Sequence, residues 1–226
     1  STDEWQTYEC KRAAVQPAKL LETVVAFANT DGGTIIVGLE DPDKAHGNKR
    51  LSGKNENTDN VSDFLTLIEK EVAPPLKIWD HFELPIKNIH KQHDSLVVVR
   101  IGKSDDVHSL KKGDTFVRKG KHNTKIGSTE IIRLKYEKGS IKLEDESSGI
   151  TTLEDLETEL LNEYKRSTQS KNQNDWQFLK DNGLAVKKNG TFELTKGGTL
   201  LFHKNPAVAL KSKSSIKVSH YYGTEP

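Results

Sequence analysis

Residues 20–41 constrain the chain most, because a helical and an extended periodicity meet inside them. Leu20, Leu21, Val24, Val25, Phe27 and Ala28 recur at helical spacing, which predicts a helix that buries this stripe. Pro17 suits the first turn, where its missing N–H costs nothing. The run Asn29-Thr30-Asp31-Gly32-Gly33 stops the helix, since these residues accept turn conformations and positive φ. Residues 34–39 are apolar on both faces and rich in β-branched side chains, as in a buried strand. That strand opens into Glu40-Asp41-Pro42-Asp43, so carboxylates gather at its carboxyl end.

The flanking sequence supplies further elements. Residues 6–11 alternate, which predicts a short strand with Tyr8 and Cys10 on one face and Glu9 and Lys11 on the other. Residues 44–57 are rich in Gly, Asn, Lys and His and read as a mobile loop. Asp59 or Asn60 is placed to cap a helix bearing Val61, Phe64, Leu65, Ile68 and Val72, ended by Pro74-Pro75. Residues 78–89 and 96–101 read as two strands joined by the polar loop 90–94. Residues 115–118 form a further strand, and Ser128 caps a helix closed by Gly139. The sum is an α/β (α+β) fold, a mixed β-sheet flanked by helices.

A polar, Ser/Gly-bearing stretch at 142–152 divides the chain into a domain over 1–141, a linker and a smaller, partial C-terminal α+β segment over 153–226. In that segment Leu153, Leu156, Leu160, Leu161 and Tyr164 mark an amphipathic helix with an acidic outer face. Trp176, Phe178 and Leu179 start another helix. Residues 184–186 and 191–194 read as small strands, residues 199–202 as a strand or a turn onto a helix, and Ile216–Val218 as strand-like sequence close to the end.

Composition narrows the function. With 33% hydrophobic residues and a mean hydropathy of −0.69, the chain is polar, and no apolar run reaches the length of a membrane span. One cysteine cannot form an internal disulfide, and with no secretory signal visible the expected location is the cytoplasm. A net charge of +1 is too small for a generally basic nucleic-acid binder, so any such binding needs a local patch.

The phrase Ala26-Phe27-Ala28-Asn29-Thr30-Asp31-Gly32-Gly33, followed by Ile36-Val37-Gly38-Leu39-Glu40-Asp41, resembles the signature of the Schlafen-like AlbA-type domain. Upstream Glu9-Cys10-Lys11 and downstream Thr115-Phe116-Val117-Arg118-Lys119-Gly120 fit it in order, and the resemblance covers roughly residues 4–138. It implies nucleic-acid binding, DNA in the first instance, in a transcriptional regulator or a divergent helicase-like protein. The phrase Leu194-Thr195-Lys196-Gly197-Gly198-Thr199-Leu200-Leu201-Phe202, with Asn205-Pro206, resembles the segment that follows this domain in longer members.

Two residue sets are candidates for that function. Lys111, Lys112, Arg118, Lys119, Lys121 and Lys125 face one acid, Asp114, giving six positive charges against one negative. Lys112, Arg118, Lys119, Lys121 and Lys125 are the expected phosphate contacts, against the plainer alternative of a solvated loop. The second set is carboxylate. The resemblance extends to Schlafen-family ribonucleases with a three-carboxylate centre, and Glu4, Glu9 and Asp41 (or Glu40) fall at similar places. In that alternative they hold Mg²⁺ or Mn²⁺ and Lys11 orients the attacking water, whereas the plainer account is an exposed Glu9–Lys11 pair and a frayed terminus at Glu4.

No cofactor is required for binding alone, and no P-loop for ATP is present, because Gly102-Lys103-Ser104 lacks the glycine needed at position 97, which is Val97. His90 and His93 lack the partners of a zinc site. Cys10 faces the core and is inert. A third alternative is a protein-interaction or assembly module that docks through the acidic helix of residues 153–164, with which a homo-oligomer is compatible. The expected partner remains nucleic acid, DNA or RNA, with no membrane.

Overall fold

The stripe at residues 20–28 belongs to a helix buried on almost every side, not on one stripe. A computed structural model describes residues 6–211 of the 226. They fall into two compact units divided between Ser140 and Ile141. In the first unit, β1 (Tyr8–Lys11) leads to α1 (Pro17–Asn29) and β2 (Gly33–Val37). Next come α2 (Thr58–Glu71), β3 (Val72–Ala73), β4 (Trp79–Lys87) and β5 (His93–Ile101). The unit closes with β6 (Ser109–Leu110), β7 (Thr115–Lys119), β8 (His122–Ile126) and α3 (Ser128–Glu137). The mixed sheet runs β1-β2-β5-β4, with β1 parallel to β2 and the other pairs antiparallel. Its inner face presents Ile35, Val37, Val97, Val99 and Ile101 to the core. Helix α1 packs against that face, α2 and β7, so Thr23 and Ala26 are buried with the predicted stripe.

The Gly-Gly turn has a steric reason. Gly32 has φ +77°, and a Cβ there would lie 2.8 Å from the Ile101 carbonyl oxygen. A Cβ on Gly33 would lie 2.6 Å from the Phe27 ring. The turn therefore lets α1 and the sheet approach closely.

Several expectations are corrected. Residues 44–57 are not a free loop. They contain two short 3₁₀ turns and are pinned by Glu40 N–H to Arg50 O (2.8 Å), Gly53 N–H to Gly38 O (2.9 Å) and Ile89 N–H to Leu51 O (2.8 Å). The cap of α2 is Asn57, whose side chain accepts from Asn60 N–H at 3.0 Å. At α3 the N-cap is Gly127, with Glu130 accepting its N–H at 2.8 Å. The basic stretch is no loop either: β7 turns at Gly120 and pairs antiparallel with β8.

The second unit contains α4 (Thr158–Ser167), α5 (Asp175–Asp181), the hairpin β9 (Ala185–Lys188) and β10 (Thr191–Leu194), then α6 (Lys196–Phe202) and α7 (Pro206–Ala209). Leu156, Leu161, Phe178, Leu179, Ala185, Leu194 and Phe202 form its core. Helix α4 begins after Leu153 and Leu156, later than the periodicity predicts, and residues 199–202 are helical. The expected linker at 142–152 is bound into this unit, because Ser148 N–H donates to Leu194 O (2.8 Å) and Leu194 N–H to Ile150 O (2.9 Å). Ile216–Val218 lies outside the described residues. Among the described residues no helix is long and apolar enough to cross a membrane.

Candidate nucleic-acid interface

Parallel pairing of β1 with β2 sends both strands toward the same edge, and this brings distant residues together. Glu9 pairs with Ile35 and Lys11 with Val37. Beyond β2 the chain turns through Asp41, whose Oδ1 accepts from Asp43 N–H at 2.9 Å. Lys11 Nζ lies 2.5 Å from Glu9 Oε1 and 3.9 Å from Asp41 Oδ2. Arg12, beside it, pairs with Glu56 and lies 3.8 Å from Glu40. Glu9, Lys11 and Asp41 thus lie together, while Glu4 lies outside the described residues.

Arg118 does not point to solvent. Its side chain is 1% exposed, with Nη2 donating to Glu9 Oε2 at 2.7 Å and to Tyr8 O at 3.2 Å. Nη1 donates to Asn123 Oδ1 at 2.8 Å, and the guanidinium carbon sits 5.1 Å from the Phe27 ring centre. Its expected role as a phosphate contact is therefore corrected to a buried tie between β7 and β1. The period of two along β7 carries the signal, since Phe116 and Arg118 share the inward face.

The signature phrase supplies the supports of this tie, which sequence reasoning assigned only to a turn. Thr30 Oγ1 accepts from Arg118 N–H at 2.9 Å. Asn29, fully buried, donates to the carbonyls of His108 (2.8 Å) and Phe116 (2.9 Å) and accepts from His108 N–H (2.8 Å). Gln6 donates to Arg118 O at 3.1 Å and accepts from Gly120 N–H at 2.7 Å.

The lysines of the hairpin and its approach are exposed. Lys121 pairs with Asp43 at 3.1 Å, while Lys125 and Lys112 share Asp114 at 2.6 and 3.1 Å. Hydrogen bonding from Lys125, then Lys112, holds the Asp114 carboxyl below its ordinary pKa. Lys119 and Lys111 also face solvent. The Lys121–Asp43 contact joins the basic hairpin to the carboxylate turn, so the two candidate sets form one surface. Cys10 lies on the opposite face of β1, buried, and burial pushes its thiol pKa up.

The described residues by themselves do not fit a divalent ion. Among them no three His, Cys, Asp or Glu side chains converge. Both oxygens of Glu9 are engaged, by Lys11 and Arg118, and the Lys11 ammonium is the cation beside Asp41.

A mixed sheet, an enclosed helix and a lysine-bearing hairpin define an α+β domain. A family model described as Schlafen, AlbA_2 matches residues 4–127, more than half of the chain, and the chain belongs to that family. Among solved structures it is similar to the DIP2311 protein from Corynebacterium diphtheriae, at 16% identity and a TM-score of 0.41. The match covers 87% of this chain and 40% of that one, so the chain spans under half the length of that protein. No curated protein sequence matches.

Proposed function

We propose that the first unit is a nucleic-acid-binding module of a regulator, gripping backbone phosphates with Lys119, Lys121 and Lys125 and with Lys112 beside them. The observation that carries this is one hairpin whose lysines are exposed and whose ion-pair partners among the described residues are Asp43 and the half-buried Asp114. Such pairs are worth little in water, so a phosphate displaces them at small cost. Arg118 holds the hairpin against β1, and its lysines stay exposed. DNA is the first ligand to test. The measurement is a titration of labelled DNA and RNA duplexes and single strands with the full chain at several salt concentrations. Lys119→Ala/Lys121→Ala/Lys125→Ala should reduce the salt slope by about 2 to 3. An unchanged slope overturns the hairpin as the contact.

The alternative expected from the carboxylates, a phosphodiester hydrolase dependent on Mg²⁺ or Mn²⁺, is disfavoured by the engagement of both Glu9 oxygens. It requires Lys11 and Arg118 to release Glu9 and a further ligand from outside the described residues. Metal-dependent shortening of the oligonucleotide, abolished in Glu9→Gln, would favour it. Absence of any binding would leave the protein-interaction reading.

A further inference from the structure

The sheet's outer face carries a feature that the hairpin lysines do not use. Strand register places Tyr8, Thr34, Arg100 and Asp80 in one row across β1, β2, β5 and β4. Ile35 and Val99, one residue along, point into the core, so this row points outward. An open cleft of about 630 Å³ lies over it, with Ile78 and Asp31 at its rim. Tyr8 is 45% exposed.

We propose that this cleft takes an unpaired base of a single-stranded nucleic acid, with Tyr8 as the stacking surface and Arg100 as the phosphate contact. The proposal rests on the nucleic-acid reading above. An aromatic ring on an open sheet face offers a flat surface to any base. Arg100 Nε donates to Asp80 Oδ1 at 2.7 Å, and both side chains are exposed. That pair exchanges for a phosphate at small cost, and a guanidinium binds phosphate in a fork. Two strand spacings, about 10 Å, separate the Tyr8 and Arg100 backbones, a span that one nucleotide and a long side chain bridge.

Gln6 links the hairpin to the cleft lining. Gln6, two residues before Tyr8, bonds to Arg118 O and Gly120 N–H on the hairpin and reaches Asp31 at 3.5 Å on the cleft rim. A duplex cannot present a base there without unpairing it, which costs a few kcal/mol. The ligand is accordingly single-stranded.

The test titrates labelled single strands of DNA and of RNA, and a duplex of equal length, against the full chain. Tyr8→Ala should weaken single-strand binding about tenfold and leave duplex binding unchanged. Tyr8→Phe should retain it, and Arg100→Gln should weaken it. An oligonucleotide carrying abasic sites should lose affinity for the unaltered chain but show no further loss with Tyr8→Ala. The nucleic acid that shows the Tyr8-dependent loss, DNA or RNA, is the ligand. Single-strand affinity unchanged in Tyr8→Ala, or an equal loss on the duplex, overturns the cleft while the lysine triple variant still reports on the hairpin. No binding by the unaltered chain overturns both.

Discussion

Arg118 and Glu9 form a buried ion pair, Nη2 to Oε2 at 2.7 Å, that fastens the basic hairpin to the strand bearing Lys11. Removing Arg118 leaves Glu9 with Lys11 alone and strands the Asn123, Tyr8 and Phe27 contacts of the buried guanidinium. Arg118→Ala should therefore destabilise the chain by about 2–4 kcal/mol, read as a lower urea midpoint. Lys119→Ala, at an exposed position, should stay within about 0.5 kcal/mol. Equal and small effects would show that Arg118 is a surface cation after all.

The Gly-Gly turn separates conformation from crowding. Gly32 and Gly113 both have positive φ, +77° and +96°. A side chain at either position costs about 1–3 kcal/mol in backbone strain. Only at Gly32 would the new Cβ also meet the backbone, 2.8 Å from Ile101 O and 2.9 Å from Lys103 N, with open space at Gly113. Thermal unfolding should show Gly32→Ala clearly less stable than Gly113→Ala.

The main elements were legible because local periodicity and burial agree in them. Alternation at Tyr8 to Lys11, the helical stripe of α1 and the β-branched run of β2 each have one reading, and β1, α1 and β2 follow. The meeting of Lys11 with Glu9 and Asp41 follows from the parallel pairing of β1 with β2, which the residue pattern does not specify. What was not legible depends on long-range partners. Six cations against one acid look like a solvated patch, and although the period of two pairs Arg118 with Phe116, it is the packing of β7 on α1 that makes that face the inner one. Asn29 reads as a turn residue, yet its amide serves backbone groups of His108 and Phe116 that lie far along the chain. The β8 strand is polar throughout most of its length, so hydrophobic patterning gives no sign of it.

His108 makes stability depend on pH. Its ring is fully buried, with Nδ1 at 2.7 Å from Pro74 O and Nε2 at 2.7 Å from Ser104 Oγ. A carbonyl only accepts, so Nδ1–H donates and Nε2 accepts the serine hydroxyl in the neutral ring. Burial, opposed by the Pro74 bond and nearby Asp106, pushes the pKa below its ordinary 6.5; Lys138 and Lys77 add to the lowering. The unfolded chain then binds more protons than the folded one just below that value, so stability falls as pH drops through it. The urea midpoint should decrease between about pH 7.5 and about pH 5.5, and less steeply in His108→Gln.

Asp114 holds back the hairpin's lysines. It pairs with Lys125 and Lys112, all of them at the surface, and its ionisation is favoured by both. An incoming phosphate must displace this carboxylate and also feels its repulsion. Asp114→Asn removes the competitor without adding a cation. Affinity for nucleic acid should rise about two- to fivefold, the worth of an exposed pair. The salt slope should stay as it was, because the number of phosphates neutralised does not change. Combining Asp114→Asn with Lys125→Ala/Lys112→Ala should cancel the gain, since the carboxylate then has no cation to compete for. A gain that survives the loss of both lysines would place the phosphate contact elsewhere on the domain.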